Sequence, residues 1–197
     1  INISIYTARI TKRAVGFQAL RSNQGGTGNV AVGVNALEYT TVGGTVGVGY
    51  RALAFNTTGT SNTAVGNRSL EDNTTGYGNT GLGAGTLTNN TTGNRNTAMG
   101  ASALSVNTTG IRNTALGFQS MHFTTAGSRN TAVGYRALRA NTTGNNNVAF
   151  GNNALRVNTT GTSNTALGYN SLLNNTTGNH NTAIGFKSLY LNRSGGA

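Results

Sequence analysis

The amino-acid sequence predicts an all-β fold, a parallel β-solenoid or β-roll of eleven 17-residue coils in one elongated domain. Three observations carry that expectation. Glycine stands at positions 16, 33, 49, 66, 83, 100, 117, 134, 151, 168 and 185, every step being 17 except one of 16, so one short unit is copied along almost the whole chain. The unit reads Asn-Thr-Ala-Val-Gly-x-x-Ala-Leu-x-x-Asn-Thr-Thr-Gly-x-x, as from Asn130 to Gly144, and a unit so small buries an apolar face only by stacking on its neighbours. Helical repeats need about 33 residues or more, whereas two glycines per copy and a β-branched run before the first weaken a helix and suit a short strand.

Residues 1–13 precede the repeat. Ile1, Ile3 and Ile5 alternate with Asn2, Ser4 and Tyr6, the period-two pattern of a half-buried strand. A stack of coils has an open strand edge at each end, so this segment is read as a cap on its own rod or a strand donated to a neighbour. The repeat domain covers 14–197. In each copy the Asn-Thr-Ala-Val segment is read as a first strand, and Ala-Leu with the two residues after it as a second. Asn-Thr-Thr-Gly forms the corner, because Asn bonds nearby backbone and Gly accepts positive φ. The corner glycine recurs at 26, 43, 59, 76, 93, 110, 127, 144, 161, 178 and 195, and the missing residue of the short step falls at Gly43-Gly44-Thr45. The end, Arg193-Ser194-Gly195-Gly196-Ala197, is too polar for a cap and leaves head-to-tail growth open.

Two apolar ladders are expected to fill the core. One precedes the first glycine (Val15, Val32, Val48, Val65, Leu82, Met99, Leu116, Val133, Phe150, Leu167, Ile184), and the other follows five positions later (Leu20, Leu37, Leu53 and so on, with Met121 in the seventh copy). Small residues such as Ala64, Ala98, Ala115 and Ala132 let the chain segments approach. Two large apolar residues per coil make a thin core against a backbone entropy cost of roughly 1–2 kcal/mol per ordered residue. The position after the first glycine is aromatic in Phe17, Tyr50, Phe118, Tyr135, Tyr169 and Phe186. These rings either cover their own coil or form a seam between chains, with Phe118, Tyr135 and Tyr169 the named seam residues.

The Asn-Thr-Ala-Val-Gly-x-x-Ala element, repeated with a glycine turn between copies, resembles the Ser-Val-Ala-Ile-Gly-x-x-Ala repeat in the head domains of trimeric autotransporter adhesins, and is similar to repeats of phage tail-fibre-like proteins. The resemblance covers about residues 14–195 and rests on the eleven copies. It implies a left-handed parallel β-roll, three chains side by side, and a rod whose outer surface adheres to something. The coil here is longer by the Asn-Thr-Thr-Gly insertion, and no coiled-coil stalk, membrane anchor or self-cleaving fibre chaperone follows.

Composition narrows the function. There is no cysteine and no proline, so neither disulfides nor thiolate metal sites are expected. No apolar stretch is long enough to cross a membrane, and the chain opens on Ile1 without a signal-like region, as a mature chain or a fragment would. The carboxylates are Glu38, Glu71 and Asp72 and the histidines are His122 and His180, too few for a repeated acid–base pair or a triad. No enzyme, cofactor or metal is expected. Glu71 and Asp72 read as a solvated edge, and the Gly43-Gly44-Thr45 stretch lacks the lysine and helix of a phosphate loop.

The net charge of +11 is the remaining signal. Arg95, Arg112 and Arg129 share one column, about 4.8 Å apart per coil, with shorter runs at Arg51 and Arg68 and at Arg139 and Arg156. They read either as solvated side chains or as a stripe facing anionic polysaccharide, lipopolysaccharide phosphate or another chain's carbonyls. No module for sequence-specific nucleic-acid recognition is present. Asn56, Asn73, Asn90, Asn107, Asn141, Asn158, Asn175 and Asn192 have the form of N-glycosylation acceptors, although the corner needs Asn and Gly on structural grounds alone. The expectation is a structural, adhesive rod in an extracellular, cell-surface or virion fibre, homo-oligomeric and most simply trimeric. The alternative is an ice-binding protein using threonine ladders.

Overall fold

The structure, a computed structural model, describes residues 12–195; of the expected cap at residues 1–13, residues 1–11 lie outside that range, and Lys12 and Arg13 fall in the first strand. Eleven short strands run β1 (Lys12–Val15), β2 (Asn29–Val32), β3 (Val46–Val48), β4 (Thr63–Val65), β5 (Thr80–Leu82), β6 (Thr97–Met99), β7 (Thr114–Leu116), β8 (Thr131–Val133), β9 (Val148–Phe150), β10 (Thr165–Leu167) and β11 (Thr182–Ile184). They form one parallel sheet in chain order. Thr97, Thr114 and Thr131 stand side by side, one coil apart. The short step pairs Val30 with Val46, so the missing residue is absorbed in the turn and the sheet keeps its register. There is no helix among the described residues. Each coil is numbered below by its strand.

Each coil has one strand, not two. The Ala-Leu segment curls, because the residue two after the strand glycine and the Leu both take left-handed backbone angles, φ 52° at Arg136 and at Leu138. It still bonds across coils, as Leu138 N donates to Ala154 O at 2.9 Å and Asn153 N to Tyr135 O at 2.9 Å. A left-handed residue costs about 1–2 kcal/mol, whereas burying a leucine contributes about 1.5–3 kcal/mol. The Leu ladder therefore stabilises each coil by only a modest margin. It is nonetheless complete from Leu37 to Leu172, each member fully buried.

The second expected ladder lies on the opposite side of the sheet. In a Thr-Ala-Val strand the outer two residues share a face and the middle one takes the other. Here Ala64, Ala98, Ala115, Ala132, Ala149 and Ala166 point inward with no exposure, while Val65, Met99, Phe150 and Leu167 are about half exposed. The coil is so flat that the strand stands directly over the Leu segment: a Cβ added at Gly47 would lie 3.1 Å from Leu37 Cγ. Only alanine or glycine fits the inner position, so the larger residue faces out.

Asparagine fills the rest of the interior. At the corner, Asn73 Nδ2 donates to Asn56 Oδ1 at 2.7 Å and to Gly76 O at 2.9 Å, and Asn90 and Asn107 continue the chain at 2.7 Å. At the strand start, Asn62 Oδ1 accepts the backbone N–H of Asn79 at 2.9 Å while its Nδ2 donates to Gly76 O at 2.7 Å. Both ladders are buried. This overturns the glycosylation reading at Asn56, Asn73, Asn90, Asn107, Asn141, Asn158 and Asn175: the amide nitrogen that would carry the sugar is inside the coil and engaged. Asn192, in the last coil, is half-buried and donates to Asn175 Oδ1 at 3.3 Å. The corner glycines also serve a purpose other than positive φ. A Cβ at Gly59 would overlap the carbonyl of Gly76 and the side chain of Asn56, so close approach excludes a side chain there. The strand glycines are the ones with positive φ, 133° at Gly134.

The corner ladder has one defect. Coil 7 carries Thr124 where its neighbours carry Asn, and both Asn107 Oδ1 and Thr124 Oγ1 are buried without a hydrogen-bond partner. A buried group left so costs about 1–3 kcal/mol. Thr124→Asn should therefore join the two halves of the ladder and raise stability by about 1–2 kcal/mol, read as a higher midpoint in denaturant unfolding; a lower midpoint would show that the coil has no room for the amide.

Candidate functional site: a basic face beside the sheet

Arg95, Arg112 and Arg129 fall in one exposed column just before the strand, as expected. Their backbone is left-handed, φ 57°, 57° and 58°, and the same column holds Gly28, Gly44, Gly78 and Asn146, also with positive φ. Glycine and asparagine tolerate that conformation far better than arginine, so the three arginines stand where the backbone does not favour them. The Arg95 guanidinium lies 5.4 Å from the centre of the Tyr77 ring. None of the three joins the ion pairs found among the described residues, Arg21–Glu38, Arg51–Glu71 and Arg68–Glu71.

The expected seam residues are half exposed. Phe118 stacks on Tyr135 at 5.6 Å and Tyr169 on Phe186 at 5.5 Å, with Asn152 interrupting the column between the pairs. Beside them run the outward strand residues, so the apolar face is two columns wide.

A second charged face lies on the other side of the strand from Arg95. It is built by two columns, the residue two after the strand glycine and the residue after Leu. The turn at Ala-Leu brings them together, as when Arg68 and Glu71 meet in coil 4. The pairing was not evident from the sequence, where Arg51 and Arg68 read as one run and Arg139 and Arg156 as another. Glu71 is not a solvated edge. It is 1% exposed and held by the Nε of Arg51 at 2.9 Å and by the Nε of Arg68. The hydrogen bond and charge of Glu71 raise the Arg68 pKa above its ordinary value. Burial, then the Glu71 charge, push the adjacent Asp72 carboxyl up. In coil 2 burial would raise Glu38, but hydrogen bonds from Asn35 and Arg21 outweigh it and hold the carboxyl below its ordinary value.

In coils 5 and 6 the two columns carry Gly85, Thr88, Ser102 and Ser105, and the face sinks into a shallow depression of about 310 Å³ edged by Arg68 and Val106. Next to it His122 Nδ1 lies 2.8 Å from Ser105 Oγ. In coils 7 to 9 the columns hold Gln119, Arg136, Arg139 and Arg156. Arg136 and Arg139 donate through Nε to the same Gln119 Oε1, at 3.0 and 3.3 Å. Their guanidiniums lie 4.9 Å from the Tyr135 ring centre and 4.7 Å from that of Phe123.

No protein-family model, curated protein or solved structure matches the chain. Among the described residues, no cluster of three or more His, Cys, Asp or Glu is placed to hold a metal ion, and no helix is long and apolar enough to cross a membrane.

Glu71 anchors the basic face in coil 4, and removing its charge leaves two guanidiniums sharing a neutral acceptor. Breaking a buried pair typically costs about 3 kcal/mol or more, so Glu71→Gln should lower stability by about 2 kcal/mol, less than full truncation because an acceptor remains. Asp72→Asn should do the reverse at pH 7. Its carboxyl is raised in the folded state, so ionisation opposes folding at neutral pH. That opposition fades as pH falls through the raised value towards 3.8, below which the group is protonated folded and unfolded alike. Thermal unfolding of both variants at pH 7 and pH 3 checks the two signs.

Proposed function

We propose that the protein is a non-enzymatic structural rod of an extracellular, cell-surface or virion fibre, in which several copies, most simply three, associate side by side through the outer face of the sheet and the rod adheres to anionic glycans. The observation that carries this reading is the apolar columns of that face, which run along the sheet with Asn67 and Asn152 as polar breaks in the aromatic one. Val65 (38% exposed), Met99 (43%), Phe150 (53%) and Leu167 (42%) face solvent from the strands beside Phe118, Tyr135 and Tyr169. At about 4.8 Å per coil and about 3.3 Å per residue along each strand, eleven coils by five residues give a face of roughly 50 by 16 Å, or about 800 Å². Monomers seldom expose contiguous apolar patches of more than a few hundred Å², and about 800 Å² per partner is what a standard stable interface covers. The resemblance to trimeric adhesin heads points the same way. Replacing Phe118, Tyr135 and Tyr169 together with serine should weaken association before it unfolds the coils. A stable monomer of the unmodified protein at micromolar concentration in sedimentation equilibrium would remove the seam.

Adhesion is assigned to Arg95, Arg112 and Arg129. Exposed charges contribute little singly, but a polymer with regularly spaced negative groups engages several at once and gains avidity without a deep pocket. The triple change to glutamine should reduce binding to sulfated or carboxylated glycans and flatten its salt dependence while the rod stays folded; unchanged binding at low and physiological salt would leave the arginines as solvated surface.

One observation favours the ice-binding alternative: Thr63, Thr80, Thr97, Thr114 and Thr131 stand in register on the outer face. Their neighbours range in size from Val65 to Phe150, which breaks the flatness such a surface needs. The corner hydroxyls do not help, because Thr142 Oγ1 is already donated to Thr159 O at 3.1 Å. Thermal hysteresis in cold solution separates the two readings.

A further inference from the structure

The repeat supplies an internal comparison on its second charged face. In coil 4 the position after Leu is Glu71, and the arginines two after the strand glycine, Arg51 and Arg68, close on its carboxylate. In coil 8 the arginine two after the strand glycine is present as Arg136, but the carboxylate's place is taken by Arg139, with Arg156 next in the same column. Two guanidiniums and the amide of Gln119 thus stand where coil 4 has two guanidiniums and an anion, and a third guanidinium follows one coil further on. Burial, followed by the charges of Arg136 and Arg156, pushes the Arg139 pKa below its ordinary value. The acceptor that Arg136 and Arg139 share is the neutral amide of Gln119, reached through Nε. Their terminal nitrogens make no hydrogen bond to another described residue, and none of the three arginines joins an ion pair there. The nearest carboxylates in the sequence, Glu71 and Asp72, lie four coils away, about 19 Å at 4.8 Å per coil and beyond the screening length of about 8 Å in physiological salt.

We propose that Arg136, Arg139 and Arg156 form a binding site for a carboxylate supplied by another molecule, and that its ligand class is an acidic saccharide of the hexuronate type. The carboxylate follows from coil 4, where the same two columns hold a planar carboxylate between arginines, whereas in coils 8 and 9 they hold three arginines and no carboxylate of the chain, with the Nε groups of Arg136 and Arg139 on Gln119 and their terminal nitrogens free for an incoming anion. The saccharide follows from the surroundings. Tyr135 and Phe123, on which Arg136 and Arg139 lie, are exposed by 42% and 39%, and rings with one wet face suit an amphipathic partner. Asn153 and Asn170, next along the column from Arg136, have side-chain oxygens without a hydrogen-bond partner, acceptors that sugar hydroxyls would satisfy once the amides turn outward. The site stands across the strand from Arg95, Arg112 and Arg129 and does not depend on them.

The decisive variant is Arg139→Glu, which puts a carboxylate of the chain where coil 4 has Glu71. If the site is an unfilled carboxylate seat, this variant folds with a higher Tm than the wild type and loses binding of galacturonate by at least tenfold, measured by calorimetry. Arg95, Arg112 and Arg129 changed together to glutamine leave galacturonate binding within twofold. A galacturonate tetramer tighter than the monomer places the source as polysaccharide, and equal affinity places it as the free acid; both outcomes support the site. The proposal is overturned if the wild type binds galacturonate no better than neutral galactose at 10 mM, about a ceiling for weak sites, if a glutamate peptide binds as well as the tetramer, or if Arg139→Glu lowers Tm and leaves binding unchanged. Arg139→Gln covers misfolding of the glutamate variant: it keeps a polar side chain of similar reach and should still weaken binding at least fivefold.

Discussion

Every coil depends on the next through its buried asparagines. An amide has two donors and two acceptor sites, and inside a 17-residue coil these groups are shut off from bulk solvent. Asn62 is satisfied only because its own coil closes with the Gly76 carbonyl and coil 5 presents the Asn79 N–H at the right height, and Asn79 needs Gly93 and Asn96 in the same way. Leaving one such side chain unpaired costs about 1–3 kcal/mol, as much as burying the coil's one leucine contributes. Register is therefore enforced by polar groups rather than by apolar volume. The constraint explains the period itself, since a copy with one residue more or fewer between strand and corner would misplace both amides. The 16-residue step is tolerated where it occurs because Thr45, replacing an asparagine, bonds Asn29 Oδ1 through both its N–H at 3.0 Å and its hydroxyl at 2.7 Å.

The period, the parallel stacking and the Leu ladder were legible in the sequence, because each leaves a mark at a fixed spacing. Which face of the strand points inward was misread, since a three-residue Thr-Ala-Val strand alternates equally well either way and the larger apolar residue is the natural choice for a core. The columns held a better signal in their spread of size. The inner position is alanine or glycine from Ala31 to Ala183, whereas the outer one varies from Val65 through Met99 to Phe150. A site enclosed on all sides accepts one volume, and a site open to solvent accepts many. By the same reasoning the near-constant asparagines are interior groups, and their likeness to glycosylation acceptors is incidental to that role.

Backbone handedness was only partly legible. The column of Arg95 contains glycines and asparagine, which mark a left-handed position. The Leu column is equally left-handed, from Leu20 to Leu189, yet contains no glycine at all, because burial of the side chain outweighs the strain. That curl is also what folds the expected second strand into a turn and brings Arg51, Arg68 and Glu71 into one cluster. Contacts between columns three residues apart in a coil follow from the curl, and an extended strand in its place would have set those side chains on opposite faces.

The distribution of charge follows from these constraints. Two of the three carboxylates, Glu38 and Glu71, are buried against arginines, so among the described residues the exposed charges are cationic apart from Asp72. The sheet's outer face carries apolar columns over the same length, so in the proposed assembly two rods would be drawn together by about 800 Å² of face and driven apart by charges that flank it on both sides. Apolar attraction acts at contact, while repulsion between exposed charges is screened within about 8–10 Å in physiological salt. In that proposed assembly the balance would favour faces in contact and arginine columns pointing away from the common axis, towards solvent and anions. The proposed association through the sheet and the proposed adhesion through the arginines would then both follow from a strand whose small residue faces in and whose large residue faces out.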